Sequence, residues 1–457
     1  MMGTISERLA KFASALSYDA VPEDARREAK RFLLDSIGCA IAALDHADMR
    51  QAHSYIQRLG GSEQATVIGH GTRTNLPNAA LMNSLLIRAM DYNDIYWVND
   101  PSHPSDIIPA ALAPAEFRGL SGKELITGIV IAYELEMRFC HAADPGIREV
   151  GWHHASLTQF VSPLVAGRML GLPVEQLVAA VGISGSSHFT LGGVVAGKLT
   201  NMKNTADPMA VEAGVRAALL ASTGYTGPVE LFEGKEGVFE VISNVRWSAE
   251  EITRGLGEEF LITKCGYKAF PTEALTHQPI TAALELMAEK EIDPHAVTEI
   301  VVRTTTRGAD ILSDPSKYDP QTKETADHSL PYCIAVAIAK GNVLPSDFTE
   351  EAIRDPFVRS FLPKIKVIAD PEIDALFPKV KRAIVTITTA DGQKFEKTED
   401  HAKGRAARPM SDAELIAKFR ANAGGAFPPD RLDKIIDATM NLERFGDVRE
   451  FVQLLIR

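Results

Sequence analysis

The sequence predicts a mainly α-helical protein. A large all-helical domain is built from both chain ends, 1–265 plus 405–457, and a smaller α+β domain, 266–404, is inserted between them. Three observations lead there. Apolar residues recur at helical spacing through the first half; β-branched runs with a hairpin turn cluster between 296 and 398; helical spacing returns after Ser411.

The elements follow in order. Pro22-Glu23-Asp24 opens a helix, since proline suits the first turn and acids there favour the helix dipole. Phe32, Leu33, Ile37, Ile41 and Leu44 continue it. The same spacing predicts helices over Pro77–Ala89, Ile107–Arg118, Gly122–Cys140, Ser156–Leu170, Val174–Ile183 and Pro208–Ser222. Ser121 with Glu124, and Ser411 with Glu414, read as capping signals. Past Cys265, Thr276–Lys290 and Lys323–Lys340 read as helices, and Ala296–Thr306, Lys364–Ala369 and Arg382–Thr389 as strands. Asp391-Gly392 is a hairpin turn leading to a strand over Gln393–Thr398. Asp412–Asn422 and Asp430–Asn441 are helical and are expected to rejoin the first domain.

Bulk properties narrow the function. With 457 residues the chain exceeds what one core usually supports. A formal net charge of -12 argues against nucleic acid and anionic membrane as partners, because both call for a basic surface. No apolar run reaches the ~20 residues that span a bilayer. The N-terminus lacks a signal-peptide core, so a cytoplasmic protein is expected. Cys39, Cys140, Cys265 and Cys333 are far apart and form no C-x-x-C pair, which points to free thiols rather than a disulfide framework or an all-cysteine metal site.

Two motifs mislead. Gly192-Gly193-Val194-Val195-Ala196-Gly197-Lys198-Leu199 comes close to a phosphate-binding loop, yet Leu199 stands where a hydroxyl must reach magnesium. His153-His154 invites a metal reading, but adjacent residues on a regular element point different ways and no H-E-x-x-H pattern occurs.

Two short stretches carry most of the chemistry. Asp91-Tyr92-Asn93-Asp94 is followed by Ser102-His103-Pro104-Ser105-Asp106, and Glu324-Thr325-Ala326-Asp327-His328-Ser329-Leu330-Pro331-Tyr332 comes later. Both pack carboxylates, a histidine and hydroxyls beside apolar helical sequence, which suits proton transfer at a water-poor site. Such groups are costly to bury unless paired. Gly151–Ser156, Asn201–Asp207 and Tyr267–His277 add further polar clusters. Asp94 serves equally well as a helix cap, Asp106 as a turn cap, and Asp327 with His328 as a helix-start pair.

Read together, DYNDIY, HPSDIIPA, GWHHASL, TGPVELFEGKEGVF, YKAFPTEALTH, KYDPQTKETADHSLPYCIAVAIAKG and RPMSDAELIAKF resemble the MmgE/PrpD family over nearly the whole chain. That family's activities include dehydration of 2-methylcitrate, decarboxylation of cis-aconitate and epimerisation of iminodisuccinate. The resemblance implies a helical domain with an inserted α+β lid, a homodimer, a site in the interdomain cleft, and no metal or organic cofactor. It matches Asp91, His103, His153 and Tyr332 to catalytic positions and Lys203, Lys268, His277 and His154 to substrate-binding ones. Asp91 or His103 is implied as one member of an acid/base pair, with His153 or Tyr332 as the other. Ile95 stands where many members carry threonine. The expected activity is a carbon–oxygen lyase acting on a 2-methylcitrate-like hydroxy-polycarboxylate, since lysines and histidines can hold carboxylates and stabilise the charge formed beside one. The alternatives are an epimerase or decarboxylase of the same family, or a catalytically weak polycarboxylate-binding relative.

Overall fold

The computed structural model describes residues 3–196 and 199–457. Helices dominate, and the chain divides into two compact units. The first comprises Met1–Ala89, Asn93–Cys265 and Ser411–Arg457; the second comprises Met90–Tyr92 and Gly266–Met410.

Among the described residues, nine longer helices build the N-terminal part of the first unit: α1 (Ile5–Ala15), α2 (Glu23–Ala43), α3 (Ala47–Leu59), α4 (Leu76–Arg88), α5 (Ile108–Arg118), α6 (Gly122–Ala142), α7 (Ala155–Leu170), α8 (Val174–Gly185) and α9 (Met202–Ser222). Short strand β1 (Asp94–Trp97) lies between α4 and α5. The core is widest along α6 and α7, where nearly every residue of both helices is buried. That is why neither shows a clean polar stripe in sequence.

Helices α7 and α9 pack through small side chains. Ala155, Ala206 and Ala210 form a buried cluster. Gly214 carries the same face one turn further, and a Cβ there would lie within contact distance of Ser162 Oγ and 2.8 Å from the Pro163 nitrogen. Ser162 Oγ donates to the carbonyls of Thr158 (2.9 Å) and Ala210 (3.1 Å), which ties the two backbones together.

Helix α9 begins earlier than the expected Pro208 start, at Met202. Proline was read as a first-turn residue, but here it sits inside the helix, where it removes one backbone bond without ending it. The consequence is functional: Lys203 and Asp207 lie on the helix, one turn apart.

The second unit contains α10 (His277–Glu289), β2 (Val297–Thr304), α11 (Leu330–Lys340), β3 (Ile365–Ala369), β4 (Ala383–Thr389) and β5 (Lys394–Glu399). The strands form one sheet in the order β5-β4-β2-β3. β4 is antiparallel to β5 and β2, with Val385 opposite Val302, and β2 is parallel to β3, with Ile300 opposite Ile365. Burial alternates strictly along β4, and α10 packs against β4 and β5. Gly392 takes φ +83° in the predicted hairpin turn, and its N–H donates to the Thr389 carbonyl at 2.9 Å.

The helix expected over Lys323–Lys340 is broken. A turn at Lys323–Ala326 ends, and α11 restarts at Leu330. Ser329 caps the new helix by accepting the Tyr332 N–H at 3.0 Å, and Pro331 sits in its first turn.

The C-terminal helices α12 (Asp412–Ala423) and α13 (Pro429–Met440) belong to the first unit. Ser411 opens α12 with a full capping box to Glu414. Lys418 on α12 reaches Asp35 on α2 at 2.8 Å, both buried. All four cysteines are buried free thiols. Among the described residues, no helix is long and apolar enough to cross a membrane. Gly192–Val195 forms a single 3₁₀ turn, while Gly197 and Lys198 of that glycine-rich stretch lie outside the described residues.

Replacing Gly214 by alanine should destabilise the protein. Helix propensity favours alanine by about 1 kcal/mol, but overpacking at a closed backbone contact costs roughly 1–3 kcal/mol. A lower melting temperature for Gly214→Ala checks this, and an unchanged or raised one would refute the close packing of α7 on α9.

Candidate active site

Three segments of the first unit converge on a buried histidine cluster. His103 enters on the turn before α5, and His153 and His154 enter immediately before α7. The rings of His103 and His154 are 5.7 Å apart, and those of His153 and His154 are 3.9 Å apart. Lys203 and Asp207 come from the first two turns of α9, and both are buried.

Each ring is set by a main-chain contact or a neighbour. His103 Nδ1 lies 2.7 Å from the Asp94 carbonyl, which only accepts, so the proton resides on Nδ1 and exchange with a substrate runs through Nε2. His153 Nδ1 accepts the Ala155 N–H at 3.2 Å, and the backbone N–H of His153 donates to the Thr190 carbonyl at 2.8 Å. Burial, with His154 next in strength, pushes the His153 imidazole well below its usual range, so this ring is neutral. His154 Nε2 faces Asp207 Oδ2 at 3.4 Å.

The Asp91–Asp106 stretch is locked by its own acids. Asp94 Oδ1 accepts the Ser105 hydroxyl (2.5 Å) and Oδ2 the Ser105 N–H (3.0 Å). Burial raises its carboxyl to about 6, partly offset by those bonds. Asp106 accepts from Asn93 Nδ2 at 2.9 Å and lies 3.6 Å from Arg88 Nε. Asp100 receives the N–H groups of Ile147 and Arg148, which fixes the approach to His153. Ile95 is buried on β1.

Glu136, on α6, is the group the sequence reading missed. Its Oε1 accepts the Ser102 hydroxyl at 2.6 Å and the Thr158 hydroxyl at 3.0 Å. Ser102 precedes His103, and Thr158 lies one turn past His154. One carboxyl oxygen therefore clamps both histidine-bearing segments. Burial pushes Glu136 up to about 8, with Asp207 and Asp94 adding to the rise, so it is protonated at neutral pH. Asp207 and Glu136 sit in helices among apolar residues, where a lone acid gives little sequence signal. Buried acids on apolar helix faces were the available clue.

The second unit holds its own polar group. Asp91 takes φ +48°, a left-handed conformation that aspartate tolerates better than most residues. Lys268 Nζ donates to Asp91 Oδ1 (2.6 Å), the Asp91 carbonyl (3.0 Å) and the Thr272 carbonyl (3.0 Å). Three donors meet three acceptors in a fully buried ion pair. His277 opens α10 and places Nε2 3.4 Å from the same Thr272 carbonyl. Burial first, then Arg405 and Lys268, push its imidazole well below the usual range.

Tyr332 lies in the first turn of α11 and is fully buried. Its hydroxyl donates to the Asp347 carbonyl at 2.7 Å, with the Ala352 carbonyl at 3.2 Å, and its ring meets Phe348 edge-on. The single phenolic proton is used on main chain, which makes the residue a core anchor of α11. Asp327 pairs with His328 (2.5 Å) and Lys323 (3.2 Å) at the helix break.

His153, His154 and Asp207 form the group of His, Cys, Asp and Glu side chains close enough to hold a cation among the described residues, with ligand atoms within 4.8 Å of one another. The donor set fits poorly. His153 Nδ1 is engaged with the Ala155 N–H, so the ring proton sits on Nε2, the nitrogen a metal would otherwise take.

Two family models match the chain: the MmgE/PrpD N-terminal domain over residues 7–250 and the MmgE/PrpD C-terminal domain over 270–443. The chain is 26% identical to the cis-aconitate decarboxylase-like protein oryM of Aspergillus oryzae, over 99% of this chain and 97% of that protein. It is 26% identical to the 2-methylcitrate dehydratase of Salmonella typhimurium, over 96% and 95%. It is 24% identical to the cis-aconitate decarboxylase of Mus musculus, over 100% and 94%.

Two outcomes follow from this geometry. Between about pH 4.5 and 8 the folded chain keeps the Glu136 proton that the unfolded chain releases. The native state then binds the extra proton, so stability falls as pH rises through that window, by at most about 1.4 kcal/mol per pH unit. Denaturant titrations across this range should show a shallower slope in Glu136→Gln; an identical slope would mean that Glu136 is ionised when buried. Separately, Asp91→Ala leaves the Lys268 ammonium buried without its counter-charge, a loss of about 3–5 kcal/mol. Thermal melts of the single variant and of Asp91→Ala/Lys268→Met check this, with the double variant expected to recover part of the loss.

Proposed function

This chain belongs to the MmgE/PrpD family, and from that premise we propose that it is a cofactor-free carbon–oxygen lyase dehydrating a 2-methylcitrate-like hydroxy-polycarboxylate. The observation that carries the reading is the buried His103–His153–His154 cluster, whose flanking Ser102 and Thr158 hydroxyls meet a neutral acid, with Lys203 one turn before Asp207, the carboxylate that faces His154. The named activities of the relatives, a 2-methylcitrate dehydratase and a cis-aconitate decarboxylase, both concern polycarboxylic acids.

Dehydration needs a base for the C–H proton beside a carboxylate and an acid for the departing hydroxyl. The electron pair of the broken C–H bond becomes the new alkene bond, the C–O bond breaks, and the hydroxyl leaves as water with the acid's proton. His103 suits the acid role as the imidazolium: the Asp94 carbonyl holds its Nδ1–H, and the second proton, on Nε2, is the one given to the departing hydroxyl. The base is one of the adjacent pair His153 and His154. Lys203, one turn before Asp207 on α9, is assigned to the substrate carboxylate, where its charge offsets the one that builds during proton removal.

Proton NMR in heavy water, on metal-free protein with 2-methylcitrate stereoisomers, citrate, cis-aconitate and aspartate-derived acids, tests the reading. A growing alkene signal is expected. Deuterium exchange without alkene would replace dehydration by epimerisation, and release of carbon dioxide would replace it by decarboxylation. His103→Gln should lower turnover about a hundredfold or more, the usual worth of a general acid; near-native turnover would remove His103 from the mechanism.

A further inference from the structure

Asp207 sits where a carboxyl needs a reason. It is 2% exposed, and its Oδ2 has no hydrogen-bond partner. His154 is 4% exposed, and neither of its ring nitrogens has one. Unmet groups of this kind cost roughly 1–3 kcal/mol each, more when charged, so a structure that keeps three of them together calls for an explanation. Their closest approach is to each other, Nε2 to Oδ2 at 3.4 Å. Burial would raise the Asp207 carboxyl, but His154 first, then His153 and Arg88, outweigh it and hold the group below the usual carboxylate range.

The backbone makes this approach deliberate. Ala155 follows His154, and Ala206 precedes Asp207. These two alanines, with Ala210, are the buried contact between α7 and α9. Larger residues there would push the helices, and with them the imidazole and the carboxylate, apart. His153 is differently placed: its Nδ1 is occupied by the Ala155 N–H, which sets its proton on Nε2. Of the adjacent pair, only His154 has a carboxylate behind one nitrogen and an unoccupied second nitrogen.

We propose that Asp207 is a positioning residue for His154: it accepts a hydrogen bond from the Nε2–H and thereby presents Nδ1 as the base that removes the substrate C–H proton. The assignment rests on the polycarboxylate reading above. The carbon-bound proton passes to Nδ1, the electron pair of the broken C–H bond forms the alkene bond, the C–O bond breaks, and the hydroxyl departs as water with the Nε2 proton of a His103 imidazolium. Asp207 takes no proton itself; it fixes the tautomer and orientation of the ring, as carboxylate partners of catalytic histidines do, and the contact tightens when substrate is bound.

The test uses the full-length protein. Asp207→Asn preserves shape but removes the oriented acceptor. It is expected to lower kcat about a hundredfold or more, since loss of such a partner alone costs up to ~10⁴ elsewhere, and to leave KM within about threefold. D207E should recover part of the rate. H154Q should lose about as much as D207N, and the D207N/H154Q pair little more than either. Independently of turnover, proton NMR on ¹⁵N-histidine-labelled protein should show an Nε2–H resonance, assigned by its loss in H154Q, that shifts or vanishes in D207N. A D207N enzyme with near-parental kcat, fully additive losses, or a His154 resonance unchanged by D207N would each overturn the proposal. If the parent protein consumes no polycarboxylate, the lyase reading fails, and the resonance alone decides whether the pair exists.

Discussion

One carboxyl oxygen sets the geometry on which the histidine cluster depends. Glu136 Oε1 gathers the hydroxyls of Ser102 and Thr158, and these belong to the two segments that carry His103 and His154. Neither segment is regular at the histidine itself. His103 lies at a turn with φ -121° and ψ 79°, and His154 lies just outside α7. Loops hold their side chains only as well as their anchors do. The anchor here sits on α6, nearly every residue of which is buried, so the rigidity of the core is passed to both rings.

The same clamp explains why the acid has to stay neutral. An ionised carboxylate at that depth would demand a cation, and Ser102 and Thr158 offer only hydroxyls. Around it the protein uses three different answers to burying an acid. Glu136 keeps its proton. Asp94 is satisfied by Ser105 through both oxygens. Asp207 remains ionised because imidazoles and Arg88 surround it. Acids of opposite protonation state close together are the arrangement that proton-transfer chemistry requires. In the second unit, Asp91 with Lys268 adds a fourth answer, a saturated ion pair.

Much was legible from the chain. The helical stretches, the Asp391-Gly392 hairpin and the strands beside it follow from local periodicity and turn chemistry. His103 and the His153-His154 pair stood out because polar clusters flanked by apolar helices are costly without a purpose. What escaped was of one kind. The start of α9 was missed because Pro208 mimics a first-turn proline, and the break at Asp327–Ser329 because apolar spacing runs on either side of it. Tyr332 looked chemical because of its neighbours in sequence, yet its hydroxyl is used on the carbonyl of Asp347. Glu136 gave no local sign, and Asp207 only closed the polar run Asn201–Asp207, with nothing in that run to single out the acid.

The sequence by itself determined the helical character, the α+β segment and the family, because each is written in patterns a few residues long or in motifs read in order. Only the tertiary structure decided which polar residues answer one another. Asp207 meets His154 because Ala155, Ala206 and Ala210 let two helices approach. Glu136 meets Ser102 and Thr158 across a fold that brings residues far apart in sequence within 3 Å. Pairings of that kind depend on distances set by packing, and no spacing along the chain encodes them.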